Sequence, residues 1–104
     1  MGKWVEVARE NAFEDGVEVV EYDDEYIAVY KLEDGFYAID DECTHDAASL
    51  AEGEVMEKCV IECPRHGARF DIKTGKNLSL PAVVPVDTYP TKVENGMVMV
   101  EVVD

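Results

Sequence analysis

Positive charge is scarce in this chain: nine Lys and Arg stand against 24 Asp and Glu, a formal net charge of −15 over 104 residues. So acidic a balance argues against nucleic acid or an anionic membrane surface as partner and favours proteins with basic patches. Long hydrophobic runs are missing as well. The longest uncharged stretch, 77–86 (NLSLPAVVPV), is too short and too broken by proline to span a bilayer. The N-terminal segment lacks the basic start and apolar run of a secretory signal, and Glu6 stands where a myristoylation signal requires Ser or Thr. The expectation is a soluble, cytoplasmic protein that works as a monomer.

Cysteine and histidine are few. Three cysteines, Cys43, Cys59 and Cys63, cannot close a disulfide set, so in a reducing compartment metal binding or a free thiol is the better default. The histidines number two, His45 and His66. Helical periodicity is nearly absent, the one candidate being a single turn around residues 9–14. At 11.6 kDa the chain has room for one compact domain, 1–104, with one core.

Short runs rich in Val, Ile, Tyr and Phe, separated by turn residues, predict an all-β domain. Candidate strands are 3–7, 17–21, 26–31, 36–39, 59–62 and 97–102. Asp34-Gly35 and Asn95-Gly96 sit between such runs and predict tight hairpins with positive φ, hence antiparallel pairing. Pro81, Pro85 and Pro90 predict an irregular segment over 80–89. Trp4, Tyr26, Tyr30, Phe36 and Tyr37 fall on the strand patterns and are assigned to the core. From 40 to 75 the strand signals thin out, and all three cysteines and both histidines fall there. That section reads as a site carried on a β scaffold.

Two half-motifs lie in it: Cys43-Thr44-His45 in ECTHDAASL and Cys63-Pro64-Arg65-His66 in ECPRHGARFD. Together they read C-x-H-x17-C-x-x-H. Each half offers one thiolate and one neutral imidazole, a donor set that suits zinc or a Rieske [2Fe–2S] cluster. Zinc fingers generally pair Cys with Cys and His with His along the chain. A Rieske centre gives both cysteines to one iron and both histidines to the other, so a mixed loop straddles the two irons. Pro64 and Gly67 suit a constrained turn that aims backbone N–H groups at sulfur.

On these residues the sequence resembles the Rieske ferredoxins of bacterial aromatic-ring-hydroxylating dioxygenases. The resemblance covers nearly the whole chain: CTH…ASL.EGE, CP.HG..FD..TGK, the proline-containing segment after it and the closing Tyr-Pro…Val…Asn-Gly hairpin. It implies a Rieske fold of antiparallel sheets with a two-loop cluster-binding subdomain. Cys43 and Cys63 would bind one iron, His45 and His66 the outer one. Leu80-Pro81-Ala82 would be the family's third loop, shielding the cluster from another side.

The resemblance also implies a function: one electron taken from a ferredoxin reductase and delivered to a terminal ring-hydroxylating oxygenase, with no substrate turnover by the chain alone. The sequence has no 2-His-1-carboxylate set for a mononuclear iron, because both histidines are already committed. Two departures from the family pattern stand out, Asp46 where glycine often follows the first-loop histidine and Arg65 where an apolar or aromatic residue usually precedes the second. High-potential respiratory Rieske proteins add a cysteine in each loop and hydroxyl donors after the second. Here Ala48, Arg65, Ala68 and Phe70 occupy those positions, which predicts a potential at the low end of the range of about −150 to +300 mV. Two other readings are a structural zinc module for protein contacts and a small Rieske-like subunit of another reductase complex.

Cys59 is left over, and alternation in CVIEC would place it with Ile61 and Cys63 on one side of a strand, as a buried small apolar residue. Lys58, Arg65, Arg69, Lys73 and Lys76 concentrate five of the nine basic residues within 19 positions. The acids gather as 22–25, 33–34 and 40–42. The expectation is a dipolar molecule whose acidic field steers in a basic partner while arginines near the histidines orient it.

Overall fold

The structure, a computed structural model, describes residues 2–42, 49–65, 67–80 and 84–103. Strands β1 (Gly2–Arg9), β10 (Thr91–Glu94) and β11 (Met97–Val103) form a three-stranded sheet in the order β1-β11-β10. Strands β2 (Val17–Tyr22), β3 (Glu25–Leu32), β4 (Gly35–Asp40) and β9 (Thr88–Tyr89) form a second, ordered β2-β3-β4-β9. A third, β5-β6-β7-β8, consists of β5 (Glu54–Met56), β6 (Val60–Glu62), β7 (Arg69–Asp71) and β8 (Asn77–Ser79). All strand pairs are antiparallel.

The second sheet is the middle layer, and strand alternation explains how. Ile27 and Val29 point to one face and join Val98, Val100 and Val102 of β11, with Phe13, in one core cluster. Ala28 and Tyr30 point to the other face, where they meet Ile39, Leu50, Ile61, Cys63, Phe70 and Ile72. Covered on both sides, the run Ile27-Ala28-Val29-Tyr30 is buried throughout, which is why it reads as continuous apolar sequence instead of alternating.

The all-β expectation and six strand cores hold, as does the helical turn, a 3-10 turn at Glu10–Ala12. Asn95 (φ 53) and Gly96 (φ 80) make the expected positive-φ hairpin. The first predicted turn differs: the loop residues are Glu33 and Asp34, and Gly35 (φ 147) already pairs with Leu32. Section 40–75 is not strand-poor, because it contributes β5, β6 and β7 to the third sheet. Three-residue strands bounded by charged turns are too short to show an alternation. Within the segment expected to be irregular, β9 adds a short strand at the edge of the second sheet.

Three side-chain expectations are corrected. Trp4 is only half-buried, belongs to neither core cluster, and has Lys92 Nζ 4.4 Å from its ring centroid. Tyr26 is 54% exposed, because it lies on the outer end of β3 beyond the packed run. Cys59 sits in the turn between β5 and β6, after the positive-φ residues Glu57 and Lys58, and is only partly buried. Strand alternation therefore does not reach it, whereas Ile61 and Cys63 are buried as expected.

Candidate metal centre

Of the four predicted ligands the structure describes Cys63; Cys43, His45 and His66 lie outside the described residues. Among the described residues no three His, Cys, Asp or Glu side chains gather as a metal site. The supports on either side of the predicted ligand loops are described, and they show how the chain frames them.

The second loop leaves β6 and returns through β7. Val60, Ile61 and Glu62 pair with Asp71, Phe70 and Arg69, so the two strands begin and end the loop at one level. Cys63 N–H donates to the Ala68 carbonyl at 2.7 Å, and Gly67 N–H donates back to the Cys63 carbonyl at 3.2 Å. Gly67 takes φ +76, a left-handed conformation that lets the chain reverse within this short span. The Cys63 side chain is 2% exposed, whereas Pro64 and Arg65, its neighbours in the turn, are exposed. A sulfur at the core edge with a surface turn above it fits a metal thiolate held from below. Outside the turn, Arg69 Nε reaches Glu62 Oε2 at 3.0 Å, an ion pair across the strand pair.

The first loop is closed at its base by a carboxylate. Asp41, 6% exposed, lies just past the end of β4, two residues after buried Ile39, and it anchors residues beyond 43–48. Ser49 Oγ donates to Asp41 Oδ2 at 2.6 Å, Ala51 N–H donates to Oδ1 at 2.8 Å, and Leu50 N–H donates to the Asp41 carbonyl at 2.6 Å. Glu42 and Ser49 form an isolated β-bridge beside it. Sequence reading did not single out Asp41, which it grouped with Asp40 and Glu42 as surface acid. The available signal was the strand alternation that sets Asp41 in phase with buried Ile39.

The two bases converge. Leu50, next to the first loop's closure, shares a core cluster with Cys63 and Ala68, which close the second. Gly53 brings the chain against β6 just before Cys63, where a Cβ would lie 1.9 Å from the Glu62 carbonyl oxygen. The donor types in the sequence and the buried thiol at a tight turn both fit a sulfur- and imidazole-held cluster.

The model of the Rieske [2Fe-2S] domain matches residues 3–90. The chain belongs to the Rieske [2Fe–2S] domain family. Its cofactor is accordingly one [2Fe–2S] cluster, which sets the structural zinc module aside. The chain is 45% identical over 75 residues to the 3-phenylpropionate/cinnamic acid dioxygenase ferredoxin subunit of Escherichia coli (strain K12), covering 72% of this chain and 71% of that one. The ferredoxin of carbazole 1,9a-dioxygenase from Nocardioides aromaticivorans IC177 superimposes with a TM-score of 0.87 at 33% identity, covering 94% and 96% of the two chains. A chain in a complex of reduced oxygenase and oxidized ferredoxin in carbazole 1,9a-dioxygenase matches with a TM-score of 0.85 at 38% identity, covering 93% and 91%.

Charge around this Rieske centre is uneven. Beside the first loop's base a groove is lined by Val19, Asp24, Glu25, Tyr26, Asp40 and Glu42. Past the second loop, Lys73 Nζ meets Asp34 Oδ2 at 2.8 Å and lies 5.4 Å from the Tyr37 ring centroid, tying that side to the β3–β4 hairpin. The ammonium holds the Asp34 carboxyl below its usual range, chiefly through that hydrogen bond. Of the predicted third loop, Leu80-Pro81-Ala82, Leu80 is exposed, as are Leu78 and Val84 nearby, while Pro81 and Ala82 lie outside the described residues.

Proposed function

We propose that this protein is a one-electron carrier that receives an electron from a ferredoxin reductase and passes it to a terminal ring-hydroxylating oxygenase. The observation that carries this reading is the Rieske family match over residues 3–90, together with hydrogen bonds that brace the bases of both proposed ligand loops. When bound, the [2Fe–2S] cluster supplies reversible one-electron chemistry. The protein's part is binding, rigidity and surface. Cys43 and Cys63 would hold one iron, and His45 and His66 the other.

The Cys63–Ala68 and Asp41–Ser49–Ala51 hydrogen bonds brace the loop ends, so the ligands change position little between oxidation states and little reorganisation opposes transfer. Pro64 and Arg65 stand at the surface beside His66 in the sequence, which supports partner contact on this side. The acidic excess supports encounter with a basic partner, and small, short-lived contact suits electron transfer. The protein turns over no organic substrate alone, works as a single domain and monomer, and is cytoplasmic in this reading.

The test is the visible absorption and low-temperature EPR spectrum of the purified protein before and after dithionite. A signal of low average g on reduction, followed by reoxidation on mixing with a terminal oxygenase, is the expected result. A colourless, EPR-silent protein with stoichiometric zinc would overturn it.

A further inference from the structure

Asp41 is the one charged side chain buried among the described residues. A buried carboxylate is costly unless its oxygens are satisfied, so its position requires a reason. Its hydrogen bonds supply one. Oδ2 accepts from the Ser49 hydroxyl and Oδ1 from the Ala51 N–H, eight and ten residues along the chain. The same residue's carbonyl accepts from Leu50 N–H, and its own N–H donates to the Tyr26 carbonyl at 2.9 Å. Asp41 is thus fixed to the middle sheet on one side and grips three successive residues on the other. Between the two ends lie residues 43–48, which include the proposed ligands Cys43 and His45.

We propose that Asp41 is a positioning residue for the cluster, a carboxylate staple that holds both ends of the first ligand loop at one point. The inference rests on the cluster-binding reading above. Release of iron requires the loop ends to separate, a local opening that need not involve global unfolding. Opening breaks two hydrogen bonds to the carboxylate, which are stronger than bonds between neutral groups. The staple also has a buried neighbour. The Tyr30 hydroxyl has no hydrogen-bond partner among the described residues, and burial first and the Asp41 charge second oppose its ionisation.

The experiment measures the half-life of the cluster's visible absorption in the holoprotein under excess iron chelator, at fixed pH and temperature. Asp41→Ala, which removes both acceptors, is expected to shorten it roughly tenfold or more, and Ser49→Ala, which removes one strut, by a smaller factor. Asp41→Asn, which keeps both partners through weaker neutral bonds, is expected to fall between wild type and Asp41→Ala. Its Oδ1 accepts from Ala51 N–H, and its amide donates to a turned Ser49 hydroxyl. Val100→Ala, in the opposite core, is the control for general destabilisation.

The staple is overturned if Ser49→Ala and Asp41→Ala release iron no faster than Val100→Ala, or if Asp41→Asn is as fast as Asp41→Ala. Should Asp41→Ala fail to fold, Ser49→Ala decides the question by its rate against Val100→Ala. A wild-type protein that binds no iron defeats the cluster reading itself before any variant is compared.

Discussion

The Tyr89 hydroxyl donates a hydrogen bond to Asp40 Oδ1, joining the short edge strand β9 to the end of β4, one residue before the Asp41 staple. Asp40 N–H also donates to the Asp87 carbonyl at 3.0 Å, so the strand that leads into the first loop is fastened along its outer edge. Tyr89→Phe should lower stability by about 1 kcal/mol, which for a domain of this size moves Tm down by about 4–8 °C. An unchanged Tm in thermal unfolding of the holoprotein would show the bond to be dispensable.

The same carboxyl should give the fold a pH signature. Desolvation holds the Asp40 carboxyl above the usual carboxylate range, opposed by the Tyr89 hydrogen bond and assisted by the charges of Asp87 and Glu42. With the folded pKa above the unfolded one, the folded state binds more protons in the window between them. The group's contribution is therefore most favourable below the unfolded value and is lost as pH rises through the folded value. Relative to Asp40→Asn, the wild type should lose stability as pH climbs from about 4, and Tyr89→Phe should carry that loss to higher pH. Urea midpoints across pH read this difference, and parallel curves for wild type and Asp40→Asn would refute it.

Gly53 tests the close approach between the return of the first loop and the strand entering the second. A Cβ there would lie 1.9 Å from the Glu62 carbonyl oxygen and 3.2 Å from that of Leu50. Backbone cannot swing aside as a side-chain tip can, so Gly53→Ala should force apart the two loop bases at a cost of roughly 1–3 kcal/mol. The expected observation is a lower Tm together with reduced iron content per chain. A fully loaded variant with wild-type Tm would mean that the approach is slack.

Much of this was legible because it depends on local pattern. The run Ile27–Tyr30, the Asn95-Gly96 turn and the paired Cys-x-His and Cys-x-x-His motifs each declare themselves within a few residues. What escaped depends on distance. Strands β5, β7 and β8 have three residues each and exist because neighbours in the third sheet pair with them. Asp41 looks like one acid in an acidic run until the fold sets Ser49 and Ala51 against it. Cys59 shows the converse: alternation extended one turn too far, because Glu57 and Lys58 adopt positive φ and end the pattern before Cys59.

That geometry separates the thiols. Cys63 lies 2% exposed at the base of the second loop, while Cys59 is partly buried in a turn and contributes its carbonyl to Ile72 N–H at 2.7 Å. Cys63→Ala and His66→Ala should each abolish the visible spectrum of the cluster. Cys59→Ala keeps the backbone carbonyl and should leave spectrum and iron content intact, with a stability change under about 1 kcal/mol. A normal spectrum in either ligand variant would sink the assignment of Cys63 and His66.

The acidic groove beside the first loop should govern how fast a partner arrives. Asp24, Glu25, Asp40 and Glu42 line it with the exposed Tyr26 ring, and the whole chain carries −15. A basic oxygenase would be drawn toward this side at long range, and salt would weaken the attraction as the Debye length shrinks to about 8 Å at physiological strength. The second-order rate of electron transfer to a terminal oxygenase should therefore fall by roughly tenfold or more from low salt upward. Glu25→Lys and Glu42→Lys should slow transfer at low salt and flatten its salt dependence, while the dithionite-reduced spectrum stays unchanged because neither residue is a proposed ligand. Stopped-flow mixing over a salt series measures both slopes. Equal slopes for the charge-reversed and wild-type proteins would place the steering field elsewhere on the surface.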